Sequence, residues 1–494
     1  MLFTSFDFLV FLPIVLIVFF LIPPKTRYIW LVVVSFFFYM YLDPLYVFLI
    51  LFPTILTYMG GLYIEDNKME TKRKKYILTL CIFSILMLLG VFKYTNFMID
   101  IVNVFIKMLF DKELTQTTMF LPIGISFYTF QTIGYLIDVY RGDVKAERNI
   151  IRYALFVTFF PQLVAGPIER SKSLLNQLRH LDRIKANDFK RIESGVIIIL
   201  YGYFLKLVIA DRASILVDNV FAEYYLYGSV ELILAAVLFA IQIYTDFCGY
   251  TSIAIGIAQV MGVELMDNFN CPYFSISIKD FWSRWHISLS TWFRDYLYIP
   301  LGGNRKGKIR TAINKLIVFS LSGLWHGASW HFVVWGMLHG IGQIIEDSLG
   351  KIVDIHFLKN KVNKTCFSWK LLKITTTFIF VSFAWIFFRA ESVKEAFCFI
   401  RTIFEKNDIW RLFDGGIYML GLDILEMNIL LLSILFVLFV DGIRYVKKKT
   451  IDSFVVEQNM YFRILIIIGL LLSIIIFGKY GSGFDANSFI YFQF

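Results

Sequence analysis

Long, uninterrupted apolar runs are the feature that most constrains how this chain can fold. Hydrophobic residues make up 58% of the sequence and charged residues 17%, whereas soluble domains contain about 45–50% and 25%. Because the bilayer core contains no water, only helices and closed barrels satisfy their backbone there. The runs do not alternate between apolar and polar residues, so they favour helices. They cover residues 6–22, 28–42, 44–64, 76–108, 119–139, 194–209, 231–262, 370–389, 417–441 and 461–478.

One further apolar stretch, residues 313–349, is too long for a simple span. Its central 30 residues, 316–345, contain no Asp, Glu, Lys or Arg. A straight helix of that length would measure roughly 45 Å, but the hydrocarbon core is about 30 Å thick. Gly323 and Gly327 suggest a helix–break–helix arrangement that puts His326 near a helix end inside the membrane. With this pair of helices, we predict an all-α polytopic membrane protein with about 11–12 transmembrane helices.

The positive charge is concentrated in short segments between the apolar runs. The net charge is +10, which could suggest a nucleic-acid partner, but cytoplasmic loops of membrane proteins carry excess Lys and Arg for topological reasons. We therefore expect contact with membrane lipids and no nucleic-acid binding. The basic segments that should face the cytoplasm are 65–75, 169–193, 304–315, 351–373 and 442–449.

Two other segments are apolar or aromatic without fitting a simple span. Residues 150–168 are short and contain Pro161 and Pro167, which favours a re-entrant segment. Residues 276–304 are rich in aromatics but also charged, which favours an interfacial or half-buried amphipathic helix. Irregular backbone survives at membrane depth only where protein or a water-filled cavity surrounds it. Both segments therefore point to an internal cavity.

Three of the six histidines lie in the charge-free run. Burial disfavours a charged imidazole, and a neutral imidazole can accept a proton as a general base. His326 is therefore the leading catalytic candidate, whereas we interpret His331 as a packing residue and leave the role of His339 open. Relative to His326, these two lie about 140° and 220° around a helix. The three rings would not share a face, and with five scattered cysteines and no CxxC motif we expect no metal site.

A second candidate histidine, His286, lies in "FWSRWHISLSTWFRDY". Tryptophans 282, 285 and 292 are spaced as on one helical face, which is typical either of an interfacial aromatic belt or of a pocket wall. The charged residues in and beside this stretch make it unusually polar for a packed helix, which favours the pocket wall. These charged residues are Asp280, Arg284, Arg294 and Asp295.

Asp246 lies in the middle of a long apolar span, in "YTDFCGYTSIAIG" together with Tyr250. A carboxylate inside the membrane needs a partner. Arg284 and Arg294 are both possible partners, and the sequence does not choose between them.

Six motifs in order along nearly the whole chain resemble the membrane-bound O-acyltransferase superfamily. Within it, the chain is similar to the branch that contains the membrane subunit of bacterial alginate O-acetyltransferase and related cell-wall polysaccharide acetylation proteins. The motifs are LPIGISFYTFQTIGYLIDVYRG (121–142), FFPQLVAGPIER (159–170), YTDFCGYTSIAIGIAQVMG (244–262), FWSRWHISLSTWFRDYLYIPLGGNRKG (281–307), GLWHGASWHFVVWGMLHG (323–340) and FIYFQF (489–494).

The resemblance implies a ring of helices with re-entrant segments around a central tunnel. We predict one domain over 1–494, with N-terminal helices in 1–142, a catalytic core in 143–350 and C-terminal helices in 351–494. The resemblance assigns the catalytic position to His326 and a second signature position to His286. The candidates for lining the tunnel are Trp325, His339, Asp246, Tyr250, Arg284, Trp285 and Arg294.

The activity implied is transfer of an acyl group, expected to be acetyl, to an extracytoplasmic polysaccharide. No cofactor is expected to be bound, and the donor is expected to be acetyl-CoA or another acetyl thioester, docked near Arg305 and Lys306. The resemblance also implies an extracytoplasmic partner of the SGNH-hydrolase type and a place in the bacterial cytoplasmic membrane.

Three alternatives stay open at this point. The first is transfer of D-alanine from a carrier protein to teichoic acid, although that branch is usually shorter and the terminal FIYFQF favours polysaccharide acetylation. The second is a channel or transporter, against which we find no internal repeat of the kind many secondary transporters have. The third is a scaffold for partner enzymes, which leaves the intramembrane histidines unexplained.

Overall fold

The computed structural model describes residues 1–41, 43–66, 68–118, 122, 124–164, 166–356, 363, 365–480 and 490. Within these residues all regular secondary structure is helical. The terminal motif at 489–494 lies outside the described residues apart from position 490. The chain divides into two compact units, one of Met1–Ile199 with Ile253–Met266, the other of Leu200–Ser252 with Asp267–Phe494. The prediction of a single domain over 1–494 stays a prediction.

The first unit starts with long apolar helices and ends with shorter ones. Ser5 caps the first helix because its hydroxyl oxygen accepts the Phe8 N–H, and Asn149 caps the sixth in the same way. The helices are α1 Phe6–Leu21, α2 Arg27–Met40, α3 Tyr46–Glu65, α4 Thr71–Phe110, α5 Ile125–Arg141, α6 Ile150–Thr158, α7 Phe160–Leu163, α8 Ser171–Arg179 and the start of α9 Phe189–Tyr203.

The predicted re-entrant segment, 150–168, forms two short helices, α6 and α7. They are interrupted at Phe159, and Pro161 is the second residue of α7. Proline is tolerated in the first turn of a helix but cannot continue one. The short, interrupted helices agree with the sequence prediction, and re-entry into the membrane stays a prediction.

The second unit contains the predicted histidine motifs. Two π-helical segments, Phe204–Ala210 and Arg294–Tyr298, interrupt its regular helices. The α-helices are α10 Asp211–Ala222, α11 Ser229–Val260, α12 Ile278–Arg284, α13 Ile287–Phe293, α14 Lys308–His326, α15 Trp330–His356, α16 Phe367–Arg389, α17 Val393–Glu405, α18 Ile424–Lys447, α19 Ile451–Val456 and α20 Met460–Phe477. The end of α11, from Ile253, belongs to the first unit.

Seven helices in the described part of the chain are long and apolar enough to cross a membrane. A multi-pass all-α membrane protein is therefore confirmed. The shorter apolar helix α1 also occupies a predicted span. The total of 11–12 helices and the central tunnel stay predictions. The seven are Tyr46–Glu65, Thr71–Phe110, Phe189–Ala222, Ser229–Val260, Phe367–Arg389, Ile424–Lys447 and Met460–Phe477.

The predicted helix–break–helix in 313–349 is confirmed. Helix α14 ends at His326, and α15 starts at Trp330. The two helices pack with their backbones almost in contact. A Cβ atom at Gly323 would lie 2.1 Å from the Phe332 carbonyl oxygen, and one at Gly336 would lie 2.1 Å from the Phe319 carbonyl oxygen. Glycine at these positions thus allows a tight hairpin.

The prediction of one amphipathic helix in 276–304 is wrong. The segment breaks between α12 and α13, where His286 adopts a left-handed conformation with φ 41°. The three tryptophans therefore do not lie on one continuous helical face. Trp282, Trp285 and Trp292 are nevertheless all buried, which agrees with packing inside the protein and not with an exposed aromatic belt.

Candidate active site

The turn that carries His286 is held by the segment before α12. The Ile287 N–H donates to the Asn268 carbonyl oxygen at 3.0 Å, and the Asn270 N–H donates to the Arg284 carbonyl oxygen at 2.9 Å. The Asn268 side chain adds a second clamp. Its Oδ1 accepts both the N–H and the hydroxyl of Ser288, at 3.2 and 2.6 Å. These bonds stabilise a backbone conformation that residues other than glycine rarely adopt.

His326 is the last residue of α14, so the hairpin turn determines where its ring lies. The Gly327 N–H closes the helix on the Gly323 carbonyl oxygen. The ring centroids of His326 and His286 are 6.4 Å apart. Both side chains are buried, at 4% and 0% exposure. The structure therefore brings together the two histidines that the sequence singled out.

Aromatic rings surround this histidine pair. Trp335, from the next helix of the hairpin, lies 5.1 Å from His326 between ring centroids, and Phe388 of α16 lies 5.4 Å away. Trp325 packs against both His326 and His286, at 4.9 and 6.0 Å. Since these rings exclude bulk water, a proton accepted by an imidazole here would exchange slowly with solvent, and the local dielectric constant is low.

The other two histidines of the hairpin differ in their surroundings. The His331 ring Nδ1 lies 3.0 Å from the Phe387 carbonyl oxygen, which agrees with a packing role. His339 is fully buried, and within the described residues neither of its ring nitrogens has a hydrogen-bond partner. Its ring lies 5.2 Å from Trp335 and 5.1 Å from Trp282, so it borders the same aromatic shell.

Asp246 pairs with a cation that the sequence reasoning did not consider. Its Oδ1 lies 2.7 Å from Lys206 Nζ, and the same ammonium lies 2.7 Å from Asp211 Oδ1. The predicted partners are wrong because Arg284 pairs with Asp280 and Arg294 with Asp295. Lysine 206 lies inside an apolar run, and that placement was a readable signal of an intramembrane ion pair.

The remaining candidates fall into buried and exposed groups. Tyr250 and Trp285 are fully buried, and the Lys206 ammonium lies 5.5 Å from the Tyr250 ring centroid. Arg284 is half-buried, and Arg294 is exposed. The predicted donor-docking pair, Arg305 and Lys306, is exposed in the turn before α14, where a soluble anion could reach it.

Two further residues of the site escaped the sequence analysis. Asn268 holds the His286 turn, and Phe247 of α11 packs edge-on against the His286 ring at 4.7 Å between centroids. Neither residue type is unusual in an apolar span or a loop, so only the folded chain reveals their position.

Comparison with known proteins identifies the family. Residues 145–388 match the model of MBOAT, the membrane-bound O-acyltransferase family. The probable alginate O-acetylase AlgI of Pseudomonas syringae pv. tomato is 38% identical, over 83% of this chain and 76% of that protein. The peptidoglycan O-acetyltransferase of Helicobacter pylori is 33% identical, over 78% of this chain and 75% of that protein.

A more distant relative covers a smaller part of the chain. The teichoic acid D-alanyltransferase of Streptococcus thermophilus is 30% identical, over 46% of this chain and 57% of that protein. The matched region of the family includes the His286 turn and the His326 hairpin. The family match, together with relatives of this identity and extent, shows that the chain belongs to the membrane-bound O-acyltransferase family and is an O-acyltransferase.

Proposed function

We propose that this enzyme transfers acetyl groups across the bacterial cytoplasmic membrane to a polysaccharide. Two of the relatives are named for O-acetylation, of alginate and of peptidoglycan. The observation that carries the proposal is the buried pair of His286 and His326, whose rings lie 6.4 Å apart in an aromatic shell. Such a pair offers a proton acceptor in a site from which water is excluded.

In the proposed reaction, His326 is the general base. Its neutral imidazole accepts the proton of an acceptor hydroxyl while the oxygen attacks the carbonyl carbon of an acetyl thioester. The carbon–sulfur bond then breaks, and the imidazolium returns the proton to the leaving thiolate. The products are an acetyl ester and a free thiol. His286 lies in the same aromatic shell. We assign it the role of a second polar side chain that contacts the reacting groups.

The donor is proposed to stay on the cytoplasmic side. Coenzyme A carries several charges, and even one charge at the bilayer centre costs about 3 kcal/mol or more. Passing only the acetyl group through a tunnel avoids this cost. The exposed Arg305 and Lys306 lie in the basic segment 304–315, where they would bind the phosphates of acetyl-CoA.

The acceptor is proposed to lie on the other side of the membrane. An SGNH-hydrolase-like partner with a reactive serine would take the acetyl group and pass it to the polymer. Its serine hydroxyl would then be the group that His326 deprotonates. This arrangement explains why a proton acceptor should lie inside the membrane-embedded part of the protein and not in a soluble domain.

A direct test uses purified protein and radiolabelled donors. The wild-type enzyme, incubated with acetyl-CoA and the SGNH-type partner, should label the partner, whereas D-alanyl carrier protein should not. The His326→Ala variant should lose about 10²–10⁴-fold in rate while remaining folded. The matched control is His331→Ala, which removes an imidazole from the same hairpin. Labelling from the D-alanyl carrier alone, or near-normal activity of His326→Ala, would overturn the proposal.

A further inference from the structure

A buried ionic cluster lies in the second unit, apart from the histidines. The cluster consists of Lys206, Asp211 and Asp246, with the ammonium 2.7 Å from one oxygen of each carboxylate. All three side chains are at most 3% exposed. The Ile490 N–H also donates to the second oxygen of Asp246, at 2.8 Å. Burial of so many charges is costly, and removing one partner leaves another charge uncompensated.

The cluster lies where two helices approach each other closely. Lys206 belongs to the π-helical segment Phe204–Ala210, and π-helical turns often occur at functional sites. Facing it, a Cβ atom at Gly249 of α11 would lie 2.8 Å from the Gly202 carbonyl oxygen and 3.1 Å from the Lys206 amide nitrogen. The backbone contact at Gly249 and the ion pair of Asp246 with Lys206 therefore both hold α11 against residues 202–206.

From this contact, α11 leads directly to the histidine site. The residue after Asp246 is Phe247, whose ring packs edge-on against His286 at 4.7 Å between centroids. The His286 ring in turn lies 6.4 Å from that of His326. A rotation or shift of α11 would therefore move the ring that supports His286.

We infer that Lys206 is a positioning residue for acyl transfer: its ion pair with Asp246 fixes α11 so that Phe247 supports His286 beside His326. The inference rests on the proposed function, because the histidines must be the site of reaction. Lys206 does not contact the reacting atoms. Its effect is on geometry, and a displacement of about 1 Å can cost about 10²-fold in rate.

Lys206→Met and Asp246→Asn test the inference, with specific activity measured per molecule of folded protein. Each should lower kcat about tenfold or more while KM for acetyl-CoA stays within about twofold, since the donor site is untouched. Asp246→Asn leaves Lys206 paired with Asp211. If Lys206→Met does not accumulate as folded protein, Asp246→Asn alone tests the positioning role. The control is Arg389→Met, which removes the cation of a half-exposed pair with Asp218 in the same unit and should leave kcat unchanged.

A double-mutant cycle tests the route through Phe247. Phe247→Leu should lower kcat as well, and Asp246→Asn combined with it should lose little more than the larger single loss, because both act through the same contact. Losses that multiply would contradict this route. Normal specific activity of Asp246→Asn, with only less folded protein, would show a purely structural cluster and overturn the inference.

The outcome for His326 separates the two proposals. If His326→Ala is inactive and Asp246→Asn is normal, the positioning role fails and the proposed function stands. If His326→Ala is active, the proposed function fails whatever Lys206 does.

Discussion

Two buried polar clusters of the second unit offset the free-energy cost of burying polar groups in different ways. In the cluster around Lys206, one ammonium forms ion pairs with two carboxylates, at 2.7 Å from an oxygen of each. The histidine pair is instead enclosed by aromatic rings. An imidazole can be neutral and so be buried without a counter-ion, whereas an ammonium or a carboxylate cannot be buried cheaply without one.

Rigidity and reactivity are provided by different clusters of the molecule. Lys206 has both carboxylates as fixed partners, which suits a group that holds helices in place. The rings around His326 provide shape and exclude water. In the proposed reaction, the His326 imidazole exchanges a proton with the substrate. The difference predicts that neutralising the ionic cluster perturbs geometry, whereas changing a histidine removes chemistry.

After His326, the largest effect is expected at His286. His286→Asn should lower kcat about 10²-fold or more, although asparagine tolerates the left-handed backbone of this turn better than most residues. His286→Ala should show the same rate loss and also destabilise the turn, because alanine is strained at φ 41°. Steady-state kinetics measures the rate loss, and the midpoint of thermal unfolding measures the destabilisation. Near-normal activity of His286→Asn would show that the position needs only its backbone conformation.

Smaller effects, on stability instead of rate, are expected at glycines that allow helices to pack closely beside each cluster. Gly336→Ala in the hairpin and Gly249→Ala at the ionic cluster should each destabilise by about 1–3 kcal/mol, because the added Cβ atoms would lie 2.1 and 2.8 Å from backbone oxygens. Gly469→Ala is the control, since nothing lies within 4 Å of its Cβ position. Thermal unfolding in detergent provides the measurement, and a Gly336→Ala midpoint as high as that of Gly469→Ala would contradict the tight hairpin.

Exposed charges should affect activity less than the residues of either buried cluster. Replacing Arg305 and Lys306 together by Gln should raise KM for acetyl-CoA about fivefold with kcat unchanged, because exposed ion pairs contribute little each. The effect should shrink at high ionic strength. Arg401→Gln, at an exposed pair with Glu405 on α17, is the control. A large fall in kcat would mean that the basic turn takes part in chemistry and not only in docking.

The smallest effect concerns Glu169, a buried carboxyl of the first unit that accepts the Met266 N–H at 2.6 Å. Burial raises the pKa of Glu169 from 4.5 to about 7. Since the folded state binds the proton more tightly, this group's contribution to stability is complete below pH 4.5 and is lost as the pH rises through 7. Glu169→Gln should therefore raise the thermal midpoint at pH 8 but not at pH 4. Equal midpoints for both proteins at pH 8 would contradict the raised pKa.

The hairpin was predictable from the sequence because one physical limit determined it. A charge-free run of 30 residues exceeds the bilayer thickness, so the helix had to break, and glycines marked the place. Charge depletion and the apolar runs likewise indicated the membrane helices. These signals are local in the sequence, so they can be read without knowledge of the tertiary structure.

The geometry around His286 and Asp246 was not predictable in the same way. The spacing of the three tryptophans is helical, yet Asn268, about twenty residues earlier, clamps a turn between them. The partner of Asp246 lies forty residues earlier, on another helix. Long-range contacts of this kind overrode the local pattern.

Transfer through the buried histidine site can be measured in inside-out membrane vesicles that contain the enzyme and a lumenal SGNH-type acceptor. Labelled acetyl-CoA is added outside, where the cytoplasmic face is exposed, and the label on the acceptor in the lumen is counted. With wild-type protein the lumenal acceptor should become acetylated while coenzyme A stays outside, and His326→Ala vesicles should show no signal above background. Undiminished lumenal acetylation with His326→Ala would contradict the claim that this buried imidazole performs the transfer.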